Sequence, residues 1–272
     1  MLDLPHVTLV CVDTREPTFA LWAMRRTMSG IRFGDVVLFT EAARLAEPPE
    51  HARVVDVRVD TIEEYSQFML RGLAGHTHTS HVLVIQWDGF VTHPQHWSAD
   101  FLQWDYIGAR WHDRPRDQSV GNGGFSLRSR RLLQALQDPQ IRISHPEDVC
   151  ICSENRLLLE QRHGIRIAPP EVAERFAYER IAPDGPTFGF HGLFNLPREL
   201  PPTEVMRFLH AMPDALARSL DAHDLCRRLI RAGELAAAAE LLAKRRRLGM
   251  RDRRTWRLRL HWQWQRLRGG GA

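Results

Sequence analysis

The sequence has 272 residues, 43% of them hydrophobic and 26% charged, ordinary proportions for a soluble globular protein with one large domain or one domain and an appendage. A formal net charge of +4 and a pI of about 9.2 lean towards anionic partners such as nucleotides, anionic glycans or membrane surfaces. The first residues, MLDLPHVTLVCVD, lack a basic region followed by a long apolar core, and no apolar run approaches the ~20 residues of a spanning helix, so neither a secretory leader nor a membrane span is expected.

In chain order, VTLVCV over 7–12 reads as a buried strand ending at Asp13. Apolar residues at helical spacing follow over 19–28, then DVVLFT over 35–40 as a second strand and residues 54–59 as a third. Thr61 with Glu64 three residues on is a capping box, opening a helix expected to run to about Leu73. The histidine-containing segment 75–81 reads as a polar connecting loop. Strands and helices in this order argue for an α/β sheet of largely parallel strands.

The run HVLVIQWDGF over 81–90 is the central feature. Val82, Leu83, Val84 and Ile85 are a continuous apolar run that suits a strand buried on both faces. It stops at Gln86-Trp87-Asp88-Gly89, and polar groups beyond the carboxyl end of a buried parallel strand are where open α/β sheets place ligands. Asp88 there either holds a hard divalent cation or caps the next turn.

Residues 97–111 are rich in aromatics and read mainly as core, with some rings available to a sugar or base. The polar stretch 110–119 has no periodicity and is a candidate lid. In VGNGGFSLRS over 120–129, three glycines in four residues allow close backbone approach to a ligand, and Asn122 can bind a hydroxyl. A short strand at 125–127 and a helix over 129–136 follow.

In SHPEDV over 144–149, Pro146, Glu147 and Asp148 suit a helix start, and a carboxylate facing a cleft there is also a natural general base. That helix is expected to reach about His163 and stop at Gly164, with a strand over 165–168. His191 sits in FGFHG, either structural or a metal ligand. Cys11, Cys150, Cys152 and Cys226 have no zinc spacing, and the 150/152 pair reads as buried thiols.

After Pro202 the composition changes. Residues 203–220 and 222–242 read as helices, and 245–268 as a basic helix with Trp256, Trp262 and Trp264. That last helix suits an anionic membrane, a protein partner or packing within the chain.

Taken together and in order, HVLVIQWDGFV, WDYIGARW, VGNGGFSLRS, HPEDVCIC and FGFHG resemble the DUF5672 family, which looks like a glycosyltransferase of the GT-A fold. The resemblance implies a Rossmann-like nucleotide-binding sheet fused to an acceptor-binding half over residues 1–200, with a helical extension over 203–268. It implies transfer of a sugar from a nucleoside-diphosphate sugar to an acceptor hydroxyl of a glycan or glycoconjugate, in cell-surface polysaccharide or glycoconjugate synthesis. By the same resemblance Asp13, Gln86, Trp87, Gly121, Asn122, Gly123 and Gly124 meet the donor, Asp88 and His191 hold Mn²⁺ or Mg²⁺, and Asp148 is the base with Glu147 as alternate. Gln86 departs from the family pattern, which has an aspartate there; one fewer carboxylate weakens the metal site. A nucleotidyltransferase, another nucleotide-sugar enzyme and a non-catalytic nucleotide- or glycan-binding module are the rival readings. No motif that reads nucleic acid is present. The expected location is cytoplasmic, extending to a peripheral place at the inner face of the membrane through the C-terminal helices.

Overall fold

A computed structural model describes residues 1–269. Strand β1 (Leu2–Val12) is the centre of the sheet because 7–12 are apolar or small and all buried. It pairs in parallel with β2 (Ile31–Thr40) on one side and with β4 (His81–Ile85) on the other. Strand β3 (Arg53–Asp56) extends the sheet beyond β2, again in parallel. Beyond β4 the direction reverses: β6 (Phe125–Ser129) pairs antiparallel with β4, and β5 (Tyr106–Gly108) antiparallel with β6. The order is β3-β2-β1-β4-β6-β5. The α/β class read from the sequence is therefore observed, with a parallel half and an antiparallel edge.

Between β1 and β2 lies α1 (Pro17–Met28), opened by Pro17 at its first turn and packed through Phe19, Ala20, Ala23 and Met24. Helix α2 (Ile62–Gln67) starts at the expected capping box: Thr61 Oγ1 accepts from Glu64 N at 3.1 Å, and Glu64 Oε2 accepts from Thr61 N at 3.2 Å. It continues as a π-helical turn (Phe68–Gly72) and a 3₁₀ turn (Leu73–His76) rather than as one regular helix. The Phe68 ring fills the place a side chain at position 72 would take, 2.6 Å from a Cβ built there. Met69 and Leu73 from this segment join Val10, Val12, Val37, Phe39, Val82 and Val84 in one buried cluster. Each such side chain contributes roughly 1.5–3 kcal/mol on full burial.

Ser129 caps α3 (Arg130–Ala135), its Oγ accepting from Leu132 N at 3.0 Å. The helix expected from the carboxylate pair to His163 is divided. It comprises α4 (Glu147–Val149), a π-helical turn (Cys150–Glu154), a break at Asn155 and α5 (Arg156–His163), closed by Gly164 at φ +63°. Asn155 makes the break, its side-chain amide donating to Arg142 O and Cys150 O, each at 3.0 Å. Two expected strands are shorter than read. The third strand ends at Asp56, and the 165–168 stretch makes only one bridge, Ile167 to Tyr106. Helix α6 (Pro170–Phe176) leads to a two-stranded parallel sheet of β7 (Ala177–Tyr178) and β8 (Gly189–Phe190). All four cysteines are buried free thiols.

The chain divides into two compact units, Met1–His191 and a helical one that begins at Gly192. The second contains α7 (Leu196–Glu199), α8 (Pro202–Ala211), α9 (Asp214–Ala217), α10 (Leu220–Arg231), α11 (Leu235–Arg247) and α12 (Arg253–Gly269). The two long helices expected here are thus four. Pro213 stops the first, having no N–H and restricting the residue before it. Gly233 at φ +80° turns the chain between α10 and α11, a conformation that favours glycine. Arg245 does not belong to the basic terminal helix. It is buried near the end of α11 and donates to Ala217 O at 2.7 Å and Ser219 O at 3.3 Å.

Candidate active site

Four of the predicted residues lie just beyond the carboxyl ends of the adjacent parallel strands β1 and β4. Asp13 follows β1, and its Oδ1 accepts from Arg15 N at 2.8 Å and Glu16 N at 2.7 Å, shaping the entry to α1. Gln86, Trp87 and Asp88 follow β4 in a tight turn closed by Gly89 N donating to Gln86 O at 3.1 Å. Trp87 lies against Phe19 of α1, ring centroids 6.1 Å apart. Burial raises the Asp13 carboxyl above the ordinary aspartate value, and the Asp88 charge nearby adds to this against the two N–H donors.

His191, distant in sequence, completes this group. Its Nε2 lies 3.4 Å from Asp88 Oδ1 and 3.1 Å from Gln86 Oε1, while Nδ1 lies 3.5 Å from Glu179 Oε1. Gln86 is oriented by the Tyr65 hydroxyl, 3.0 Å from its amide nitrogen. Burial alone would lower the His191 pKa, but Asp88 and Glu179 outweigh it and raise it to about 10.

Two glycines make room for this imidazole. A Cβ on Gly124 would lie 2.1 Å from His191 Nε2, and one on Gly89 3.0 Å from its Cδ2 and 2.8 Å from Phe190 O. Gly124→Ala must push the ring from Asp88 and Gln86. Its expected effect is a loss of about 1–3 kcal/mol, the usual penalty for overpacking, read as a lower urea midpoint; an unchanged midpoint would show that the ring moves freely.

The second group lies around the other end of the glycine loop. Gly123 N donates to Asp148 Oδ2 at 3.1 Å, and Asp148 Oδ1 accepts from Val149 N at 2.8 Å. Burial, then the Glu147 charge, push the Asp148 carboxyl up to about 6, opposed by these two N–H groups and by Arg128. Glu147 is committed elsewhere. Its Oε1 accepts from Arg128 Nη2 at 2.9 Å, in a pair where Arg128 is 0% exposed. Arg128 also donates from Nε to Ser126 Oγ at 3.0 Å and lies over the Tyr106 ring, 5.5 Å from its centroid. Tyr106 in turn donates to Gly121 O at 2.6 Å, so one buried network spans the loop from Gly121 to Asp148. Gly121 itself is covered by the Trp111 indole, 2.2 Å from a Cβ built there.

Two buried polar atoms in this network have no hydrogen-bond partner among the described residues, Asn122 Oδ1 and Arg128 Nη1. A buried acceptor and a buried donor left open are costly unless a ligand or water meets them. A cavity of about 490 Å³ is lined by Tyr178, Glu179, Arg110, Arg175, Glu171 and Asp184, among others, and Glu179 is its link to His191.

The sequence alone singled out neither Arg128, Tyr65 nor Glu179. Arg128 lies just past the strand expected over 125–127; the observed strand runs on to Ser129 and buries it, and a buried charge requires a partner. Tyr65 and Glu179 left no signal. The histidine-containing loop is structural at its end: His81 Nε2 lies 3.3 Å from Trp104 O, and burial lowers its pKa.

No curated protein matches the chain. Among solved structures, mannosyltransferase PcManGT from Pyrobaculum calidifontis, in complex with GDP-Man and Mn²⁺, is similar at 16% identity and a TM-score of 0.40, over 97% of this chain and 88% of that one. The family described as a protein of unknown function, DUF5672, matches residues 50–191. That span is over half the chain and takes in strand β4, the glycine loop, the carboxylate pair and His191: the chain belongs to the DUF5672 family.

Proposed function

We propose that the protein is a glycosyltransferase that moves a sugar from a nucleoside-diphosphate sugar to an acceptor hydroxyl. The observation that carries this reading is the convergence on the glycine loop. His191, whose Nε2 faces Asp88 and Gln86, meets Gly124 on one side, and Asp148, its carboxyl raised, meets Gly123 on the other. Asp148 takes the proton of the acceptor hydroxyl. The acceptor oxygen bonds to the sugar carbon as the bond from that carbon to the diphosphate breaks, and the nucleoside diphosphate departs. Asp13 and the Gln86 amide orient the donor, and Asn122 Oδ1 takes a donor hydroxyl in place of the partner it lacks. The acceptor occupies the cavity beside Glu179 and Tyr178, whose carboxylates and guanidiniums suit a polyhydroxylated molecule.

Asp88 Oδ1 and His191 Nε2, with Gln86 Oε1 adjacent, are the donors that would hold Mn²⁺ or Mg²⁺, the imidazole giving up its Nε2 proton to do so. Among the described residues no group of three or more His, Cys, Asp or Glu side chains could hold an ion. When bound, the ion supplies Lewis acidity towards the departing diphosphate.

Titration calorimetry with nucleoside diphosphates, with and without Mn²⁺, tests this reading. At least one is expected to bind, and Asp88→Ala is expected to weaken it by about tenfold or more, as loss of metal-site groups does. Equal binding by wild type and Asp88→Ala would place the donor elsewhere; no binding at all would refute the reading.

A further inference from the structure

Helix α12 reads RRTWRLRLHWQWQRLRG, with six arginines and no aspartate or glutamate. Six exceeds the net charge of +4 of the whole chain, so the basic excess is concentrated on this helix and the rest is net acidic. Its apolar residues fall on two faces. Leu258 is buried, and Trp262 Nε1 donates to Leu235 O of α11 at 2.9 Å, so this face packs within the helical unit. Trp256, Leu260, Trp264 and Leu267 are instead 58%, 47%, 47% and 81% exposed.

At about 100° per residue these four share a stripe roughly 80° wide, roughly opposite Trp262. Arg253, Arg257 and Arg268 project on or beside it at the same spacing, and the Arg268 guanidinium lies 3.8 Å from the Trp264 ring centroid. Single exposed apolar residues are ordinary, but two tryptophans and two leucines in one line are not.

We propose that α12 is a membrane-surface anchor. It lies in the plane of an anionic bilayer, with Trp256, Leu260, Trp264 and Leu267 in the boundary between headgroups and acyl chains and the arginines on lipid phosphates. Charge complementarity selects this occupant. A second copy of the helix on the same stripe would bring two sets of arginines together without one carboxylate. A nucleic acid would use the arginines and leave the leucines in water. The helix has 17 residues, and no described helix is long and apolar enough to cross a membrane, so the contact is one of lying on the surface.

Co-sedimentation of the full chain with phosphatidylcholine vesicles, with and without phosphatidylglycerol, tests the proposal. Binding to the anionic vesicles is expected to exceed that to the neutral ones by at least about tenfold, to shift tryptophan emission to the blue and to weaken as salt is added. The combined Trp256→Ser, Leu260→Ser, Trp264→Ser variant is expected to lose at least about tenfold of this binding with an unchanged melting temperature, since those side chains are exposed. Equal binding to both vesicles, or full binding by the variant, would overturn the proposal. So would a wild-type chain that ignores vesicles but self-associates through this stripe.

Discussion

Asp148→Asn is expected to lower sugar transfer by roughly 10²–10⁴-fold, the usual range for loss of a general base, while donor affinity is retained. Asp148 also has a structural part, and the two must be separated. Its Oδ1 accepts from Val149 N and its Oδ2 from Gly123 N. Asparagine can keep the first bond but turns an amide N–H₂ towards Gly123 N–H, at a cost of about 1–3 kcal/mol. The raised pKa works in the other direction. A carboxyl whose folded pKa is above its unfolded value contributes stability present in full below about 3.8 and lost as pH rises through about 6. At neutral pH the carboxylate therefore burdens the fold by on the order of 2–3 kcal/mol, about 1.4 kcal/mol for each unit, and asparagine relieves it. The two effects nearly offset, so the melting temperature should change little. The same shift sets the pH profile: the base form is populated above about 6, so transfer by the wild type should fall as pH drops through that value. An Asp148→Asn variant that transfers sugar at the wild-type rate would remove the assignment. Glu147→Gln is expected to be milder, since Glu147 faces Arg128; if it were the dead variant, the two roles would exchange.

Arg128→Met is expected to be the most destabilising single change in the first unit, by about 3–5 kcal/mol, the penalty for removing one partner of a buried ion pair. Glu147 would be left buried beside Asp148 with no cation, and the hydrogen bond to Ser126 Oγ would be lost. For a domain of this size the shift in melting temperature is on the order of 10 °C. Combining it with Glu147→Gln should restore a large part of the stability, because the uncompensated charge is then gone. The double variant tells the ion pair from simple packing: if it melts no higher than Arg128→Met alone, the charge on Glu147 is not what the arginine serves.

The sheet was legible because its signals are local. Continuous apolar runs over 7–12 and 82–85 mark strands buried on both faces, and Thr61 with Glu64 marks a helix start through bonds made within one turn. Where the sequence misled, the reason was also local: Pro213 and Gly233 divide two apolar patterns that periodicity alone joins into longer helices. The family and the stretches that carry its likeness were legible in the order of those stretches.

Other features required the folded chain. That Glu147 faces Arg128 and Asp148 faces Gly123 depends on contacts of α4 with β6 and with the glycine loop before it, 19 residues apart for the ion pair. Two adjacent carboxylates near a helix start look alike in sequence, and only burial beside a cation or a backbone N–H distinguishes them. Glu179 reaches His191 through the short β7–β8 sheet, which has no periodic pattern to betray it. On α12 the composition was plain from the sequence, but its direction was not. Trp262 turns inward and Trp256 and Trp264 outward because α11 supports only one side of the helix, and the three tryptophans are otherwise the same residue.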